Sequence, residues 1–186
     1  MTLKSGTYSI GPDVGILTLS TFRAGMGAKV GHDLVLEATR WSGTAELDPD
    51  NPASSHVQVT VDPSSLELKS ATGGIKPISA KDREDISKNI NDKILQTKKY
   101  PEITFESTEV VGSPPQLSAQ GNLTVVGQTR PASLDLAVEE GAGGTRIVAT
   151  TTITQSDFGI KPFSAMLGAL KVRDAVDLQV DITLPS

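Results

Sequence analysis

Only two side chains in this sequence titrate near neutrality in their ordinary state, His32 and His56, and they are the first place to look for chemistry. His32 sits in Gly31-His32-Asp33-Leu34. An aspartate is poorly placed to orient the imidazole of its own neighbour, and the chain has no Gly-x-Ser-x-Gly elbow to supply a nucleophile. His32 therefore reads as a loop or barrel-mouth residue, and His56, which opens a strand after a serine-rich turn, reads as exposed. Cysteine is absent, which excludes disulfides, thiolate catalysis and Cys-ligated zinc. Asp48-x-Asp50-Asn51 resembles a fragment of a calcium loop, but it lacks the later glycine and glutamate and carries two prolines, so it reads as a turn. Nothing in the spacing brings Asp33, Asp157 and Asp174 together, and Gly73-Gly74 does not form a phosphate loop. No catalytic residue, metal or cofactor is expected.

Charge and composition narrow the partners. The formal net charge is -5, and lysine and arginine are scattered with no basic stripe, which argues against nucleic acid and against anionic membrane surfaces as primary partners. The opening residues have no apolar signal region, and no stretch is apolar and long enough to span a bilayer, so a cytoplasmic location is expected. With 186 residues, 37% hydrophobic and without a linker or repeat, the chain reads as one domain over 1–186.

The elements that must position any site are mostly strands. Apolar residues alternate with polar ones at Val57, Val59 and Val61, at Ile103 and Phe105, at Leu117 to Val125, at Leu134 to Val138, at Ile147 to Ile153 and at Val176 to Leu184. This period of two gives each segment one dry and one wet face, as antiparallel strands require. Between Asp33 and Leu47 the apolar parity switches, which predicts a β-bulge near Thr39-Arg40 in one long strand. From Ser79 to Leu95 the spacing of Ile86, Ile90 and Ile94 predicts an amphipathic helix capped by Ser79, lying on the barrel or covering one end. Phe163, Met166, Leu167 and Leu170 carry a weaker helical pattern, read as a short lid or an apolar loop packed into the core. The expected fold is all-β, an antiparallel lipocalin-like barrel of about eight strands, which has an interior large enough for one small ligand; a sandwich is the alternative.

The residues that do not look like ordinary strand core are Phe22, Met26, Phe158, Ile160, Phe163, Met166 and Leu167, which flank glycine-rich segments. Apolar groups at barrel ends either plug the barrel or line a ligand mouth, and the residues alone leave both open. With the strand residues Leu34, Leu36 and Phe105 they form the candidate ligand-binding set.

Three stretches carry a family resemblance: Tyr100-Pro101-Glu102-Ile103-Thr104-Phe105, Gly121 to Pro131 (GNLTVVGQTRP), and Asp157-Phe158-Gly159-Ile160. Together they resemble the YceI-like family of lipocalin-like polyisoprenoid-binding proteins, with Tyr8 to Asp13 and Val176 to Leu184 where that family has its first and last strands. The sequence departs from the family at Gly11-Pro12-Asp13-Val14-Gly15, where a His-Ser pair is usual, and at Gly31-His32-Asp33, which resembles only a divergent subgroup. The resemblance implies an elongated barrel with an internal channel, a polyisoprenoid or quinone-type lipid as ligand, and a homodimer as a possible assembly. Two other readings stand beside a carrier: a stress-related interaction module whose barrel is filled by its own side chains, and a lipid-modifying enzyme that uses His32.

Overall fold

The computed structural model describes residues 3–185. Twelve strands and one α-helix follow in the order β1 (Gly6–Ile10), β2 (Gly15–Ala24), β3 (His32–Ala38), β4 (Trp41–Leu47), β5 (His56–Val61), β6 (Leu66–Gly73), α1 (Ala80–Asn89), β7 (Ile103–Ser113), β8 (Gln116–Val125), β9 (Gln128–Gly141), β10 (Gly144–Thr154), β11 (Ser164–Ala165) and β12 (Leu170–Leu184). Every pairing is antiparallel.

The twelve segments make one curled sheet in which three strands are bent rather than ended. β3 and β4 are separated only by Thr39-Arg40, and both face one partner chain, β6 and β5. On one side of the break Ala38 pairs with Leu66, and on the other Trp41 pairs with Val61, so two residues oppose four. The same happens one strand over, where β1 and β2 face β4 and β3 across the turn at residues 11–14. With each bent pair counted once and the two-residue β11 set aside, the ladders run through eight strands and return to their start, because β12 pairs with β2. The irregularity foreseen at Thr39-Arg40 is thus a corner, with the extra residues on the partner strand. Backbone bonds stitch it shut, Thr39 N–H to Ser65 O at 3.2 Å and Asp62 N–H to Arg40 O at 3.0 Å, as a tight barrel corner requires.

The bends divide the barrel into two halves. The lower half, around β1, β4 and β5, is filled by Ile10, Trp41, Ala45, Phe105, Ile182 and Leu184, with Leu184 wholly buried. Small residues make room for large ones here. A Cβ on Gly121 would stand 2.7 Å from the Phe105 ring, so that ring lies directly over the Gly121 backbone. One polar atom is left over: among the described residues the buried Trp41 indole N–H has no hydrogen-bond partner.

The upper half is covered by the helix. Ser79 caps it as expected, with a reciprocal capping box to Asp82 in which Ser79 N–H donates to the Asp82 carboxylate at 2.9 Å and Asp82 N–H to Ser79 Oγ at 3.2 Å. The α-helical part ends at Asn89, and a π-turn continues over Ile90–Ile94. The wider turn brings Ile90, Ile94 and Leu95 toward the barrel together, which regular α spacing would not. The second predicted helix does not form. Ser164–Ala165 pairs with β12, and Met166 and Leu167 adopt left-handed backbone in a short turn that leaves both side chains exposed. They are neither a helical lid nor packed into the core.

Candidate functional site: an apolar cavity in the upper half of the barrel

The upper half encloses a cavity of about 300 Å³, at the small end of the usual range for ligand pockets. Its walls come from the inward parity of the strands: Leu19 on β2, Leu34 and Leu36 on β3, Ile103 on β7, Leu123 and Val125 on β8, Ile153 on β10, and Val176 and Leu178 on β12. Ile86, Ile90, Ile94 and Leu95 supply the side under the helix. Only six lining side chains are polar: Thr21, Arg23, His32, Asn89, Gln155 and Lys171.

Three of these, Arg23, His32 and Lys171, stand at strand ends at the open end, and the backbone there is shaped around two of them. Arg23 is held by its own N–H to Asp33 Oδ1 at 2.8 Å, by NH1 to the Gly31 carbonyl at 2.9 Å, and by the Asp33 carboxylate 3.8 Å from Nε. The His32 ring lies against Gly74, with Nε2 2.9 Å from the Lys76 carbonyl. Gly73 and Gly74 both have positive φ, and a Cβ on either would collide with the Arg23 guanidinium or the His32 ring. Deeper in, Gln155 is almost fully buried and donates Nε2 to Arg173 O at 2.9 Å, while its carbonyl oxygen accepts no hydrogen bond among the described residues.

His32 is not wired as a general base. Among the described residues its imidazole makes no hydrogen bond to a hydroxyl or carboxylate, and the neighbouring Asp33 is engaged by Arg23. His56 lies away from the cavity, its Nδ1 3.3 Å from Ser107 Oγ and its Nε2 3.8 Å from Glu106. The Asp48 turn satisfies its own carboxylate, which accepts from Ser5, Ser54 and the backbone of Asp50 and Asn51. Among the described residues no cluster of His, Asp and Glu is arranged to hold a metal.

The ten residues singled out from sequence divide three ways. Leu34, Leu36, Ile160 and Phe163 line the cavity. Phe105 and Phe158 are buried in the packed core instead, Phe105 because Gly121 admits its ring below the cavity. Phe22, Met26, Met166 and Leu167 lie outside. Phe22 has the outward parity of β2 and stacks under Arg173, 5.5 Å from the ring centroid, while Met26, Met166 and Leu167 point into solvent. Sequence reasoning missed Leu19, Ile153, Val176, Leu178 and the helix residues as cavity walls. The alternation showed that they face inward, but not which inward positions meet a void.

An antiparallel barrel with an apolar cavity under a helix is the architecture of the lipocalin-like class. The profile of the YceI-like domain matches residues 18–184, and the chain belongs to that family. A UPF0312 protein of Vibrio cholerae is 35% identical over 133 residues, and Protein YceI of Escherichia coli O157:H7 is 32% identical over 127. These alignments cover 68% and 65% of this chain but only 64% and 60% of the two relatives. Burkholderia cenocepacia BcnA superposes with a TM-score of 0.70 at 16% identity over 91% of this chain and 96% of that one. A Campylobacter jejuni YCEI protein gives 0.59 at 17% identity over 84% and 85%. At such identities the two structures speak to the fold alone. No helix among the described residues is long and apolar enough to cross a membrane.

The motifs that carried the resemblance are scaffold at the open end of the barrel. Tyr100 packs against Gly127, Arg130 Nε donates to Asp157 O at 2.9 Å, and Thr124 and Thr129 hydroxyls meet at 2.8 Å. They fasten the β8–β9 turn to the 155–158 turn that introduces Phe158 and Ile160.

Proposed function

We propose that the protein binds and carries a long apolar ligand, a polyisoprenoid lipid or isoprenoid quinone, with the chain of the ligand in the upper cavity. The observation that supports this reading most directly is the lining, in which aliphatic side chains from seven strands and the helix surround a void with few polar groups. Each methylene moved from water into such a site contributes about 0.8 kcal/mol, so affinity accumulates along the chain without a polar anchor at every step. Carriage needs no reacting group, in keeping with the wiring of His32. Neither a homodimer nor a cytoplasmic setting is required for it.

The test is mass spectrometry of the intact protein under native conditions followed by organic extraction. A stoichiometric isoprenoid, displaced in Ile153→Trp while the circular dichroism stays that of wild type, is the expected result. A bare protein mass that does not shift after incubation with quinones and polyprenyl phosphates would sink the proposal. His32→Ala separates the enzyme reading, because a carrier keeps its ligand without that imidazole.

A further inference from the structure

Large hydrophobic side chains that are exposed in this structure are not scattered. Of seven, five belong to three loops at the cavity mouth: Met26, Val30, Ile75, Met166 and Leu167, with Met26 97% exposed and Leu167 fully so. The loops touch one another and the mouth. Gly27 N–H donates to Ala169 O at 2.8 Å, which joins the first loop to the third, and the His32 contact to Lys76 O joins the second. Phe163, Leu170 and Lys171 of the third loop line the cavity itself.

The charges of these loops are equally one-sided. Residues 25–31, 74–79 and 159–169 contain Lys29, Lys76 and Lys161 and no aspartate or glutamate, and Lys171 follows at the start of β12, in a chain whose net charge is -5. None of these lysines forms an ion pair among the described residues. Of the carboxylates that flank these loops in sequence, Asp33 is engaged by Arg23 and Asp82 by the helix cap.

The backbone adds an independent sign. Met166 and Leu167 have φ of 52° and 55°, the left-handed region that residues with side chains disfavour. Asparagine or glycine would form that turn at less cost. Here two large apolar groups occupy it and return no packing to the fold. Such a feature at the rim of a site points to a role outside the folded chain.

We infer that this rim is a membrane-docking edge, which seats Met26, Met166 and Leu167 among the acyl chains of an anionic bilayer while the lysines rest among its head groups. It deepens the carrier reading by naming where the ligand enters: the cavity mouth would face the bilayer directly, so a lipid could pass from leaflet to barrel without crossing water. A second copy of the chain is a poorer occupant, because two such rims would set lysine against lysine.

The test is co-sedimentation of the full chain with phosphatidylcholine vesicles, with and without phosphatidylglycerol. Wild type is expected to pellet with the anionic vesicles and to be released by salt. Leu167→Asn combined with Met26→Ser should weaken binding about tenfold. Lys29→Glu and Lys161→Glu should each weaken it about fivefold. Asparagine suits the left-handed backbone, so the same variant should melt no lower than wild type, which separates docking from folding. Pelleting that does not depend on vesicles, or is unchanged in these variants, overturns the inference. So does light scattering that shows a concentration-dependent dimer abolished by Leu167→Asn, which would make the rim a contact between copies. Vesicle binding that survives when extracts hold no isoprenoid supports the edge and removes only the carrier reading. A filled cavity without vesicle binding removes only the edge.

Discussion

Phe105 and Leu34 both point into the barrel, and they meet different surroundings. In the lower half the Phe105 ring lies over the bare backbone of Gly121 on the neighbouring strand, and the small residues Ala45 and Ala119 are buried along with Trp41. Large residues lie against small ones, and the inward side chains there are buried, as close packing of a core requires. In the upper half the inward strand positions carry Leu19, Leu34, Ile103, Ile153 and Leu178, all medium-sized and branched, and the aromatic Phe163 on the cavity wall comes from the loop before β11. Side chains of one size around a cylinder cannot meet at its axis, so the upper half stays hollow. One strand circuit therefore yields a plug and a pocket, and the boundary lies at the level of the bends between β1 and β2, β3 and β4, and β5 and β6.

Truncation is the sharpest way to break that comparison. Phe105→Ala should cost about 3–5 kcal/mol, because the fixed ladder around Gly121 cannot collapse into the space. Leu34→Ala should cost about 2 kcal/mol or less, since one side of that leucine already faces a void and fewer contacts are lost. Urea unfolding of the two variants measures the difference. Equal losses would mean that the cavity is filled by protein atoms in solution and that the two halves are the same.

Enlargement tests the same contrast with the opposite sign. Ala119→Leu in the lower half must displace packed neighbours and should destabilise by about 1–3 kcal/mol. Leu34→Phe has room to turn into the cavity, so its stability should stay within about 1 kcal/mol of wild type while uptake of an isoprenoid falls. A large loss of stability in Leu34→Phe, or undiminished uptake, would show that the void is not where the ligand sits.

The sequence announces the plug more clearly than the pocket. Alternation at Val57 to Val61, at Leu117 to Val125 and at Val176 to Leu184 determines which residues face inward, and the parity switch at Thr39-Arg40 marks a corner. The stripe of Ile86, Ile90 and Ile94 and the cap at Ser79 mark the helix. What alternation cannot supply is which inward positions are filled, which depends on how side chains on neighbouring strands fit together, as Phe105 on β7 fits over the Gly121 backbone on β8. For that reason Phe105 reads as a pocket residue and is a plug residue, and Ile153 and Val176 read as ordinary core and are walls. The rim was misread differently. Met166 and Leu167 carry helical spacing with Phe163, but Gly168 and the pairing of Ser164–Ala165 with β12 break the helix and turn both side chains outward. Glycine-flanked apolar residues were legible as unusual, and only the placement of the three loops shows that Met26, Met166 and Leu167 share one edge.

The cover of the hollow half depends on few interactions, and its cap is the next target. Ser79→Ala removes one half of the reciprocal capping box and should destabilise the helix by about 1 kcal/mol. The lower half takes no part in that cap. Hydrogen exchange should therefore quicken at amides in α1 and the following π-turn while the β4–β5 and β8–β9 ladders keep their protection. If the ladders loosen with the helix, the two halves unfold as one unit and the cover is not separately mobile.

Acid should separate the halves by the smallest margin. In the lower half the Arg146 guanidinium donates to Asp181 at 2.9 and 2.6 Å and holds that carboxyl below the usual carboxylate range. On the helix the Ser79 hydroxyl and backbone N–H do the same for Asp82. A carboxyl with a lowered pKa in the fold is protonated more readily in the unfolded chain, so acidification favours unfolding. The stabilisation is complete above the unfolded value of about 3.9 and is lost as pH falls through the lowered folded value. Asp82 lies on an exposed helix end and Asp181 on a strand bonded along both edges. Helix amides should therefore lose exchange protection first as the pH drops below about 4, ahead of those in β10 and β12. Asp82→Asn should remove most of the pH dependence at the helix and leave that of the strands intact. Simultaneous loss at both places in wild type would show that the helix is held by its packing over the cavity rather than by its cap.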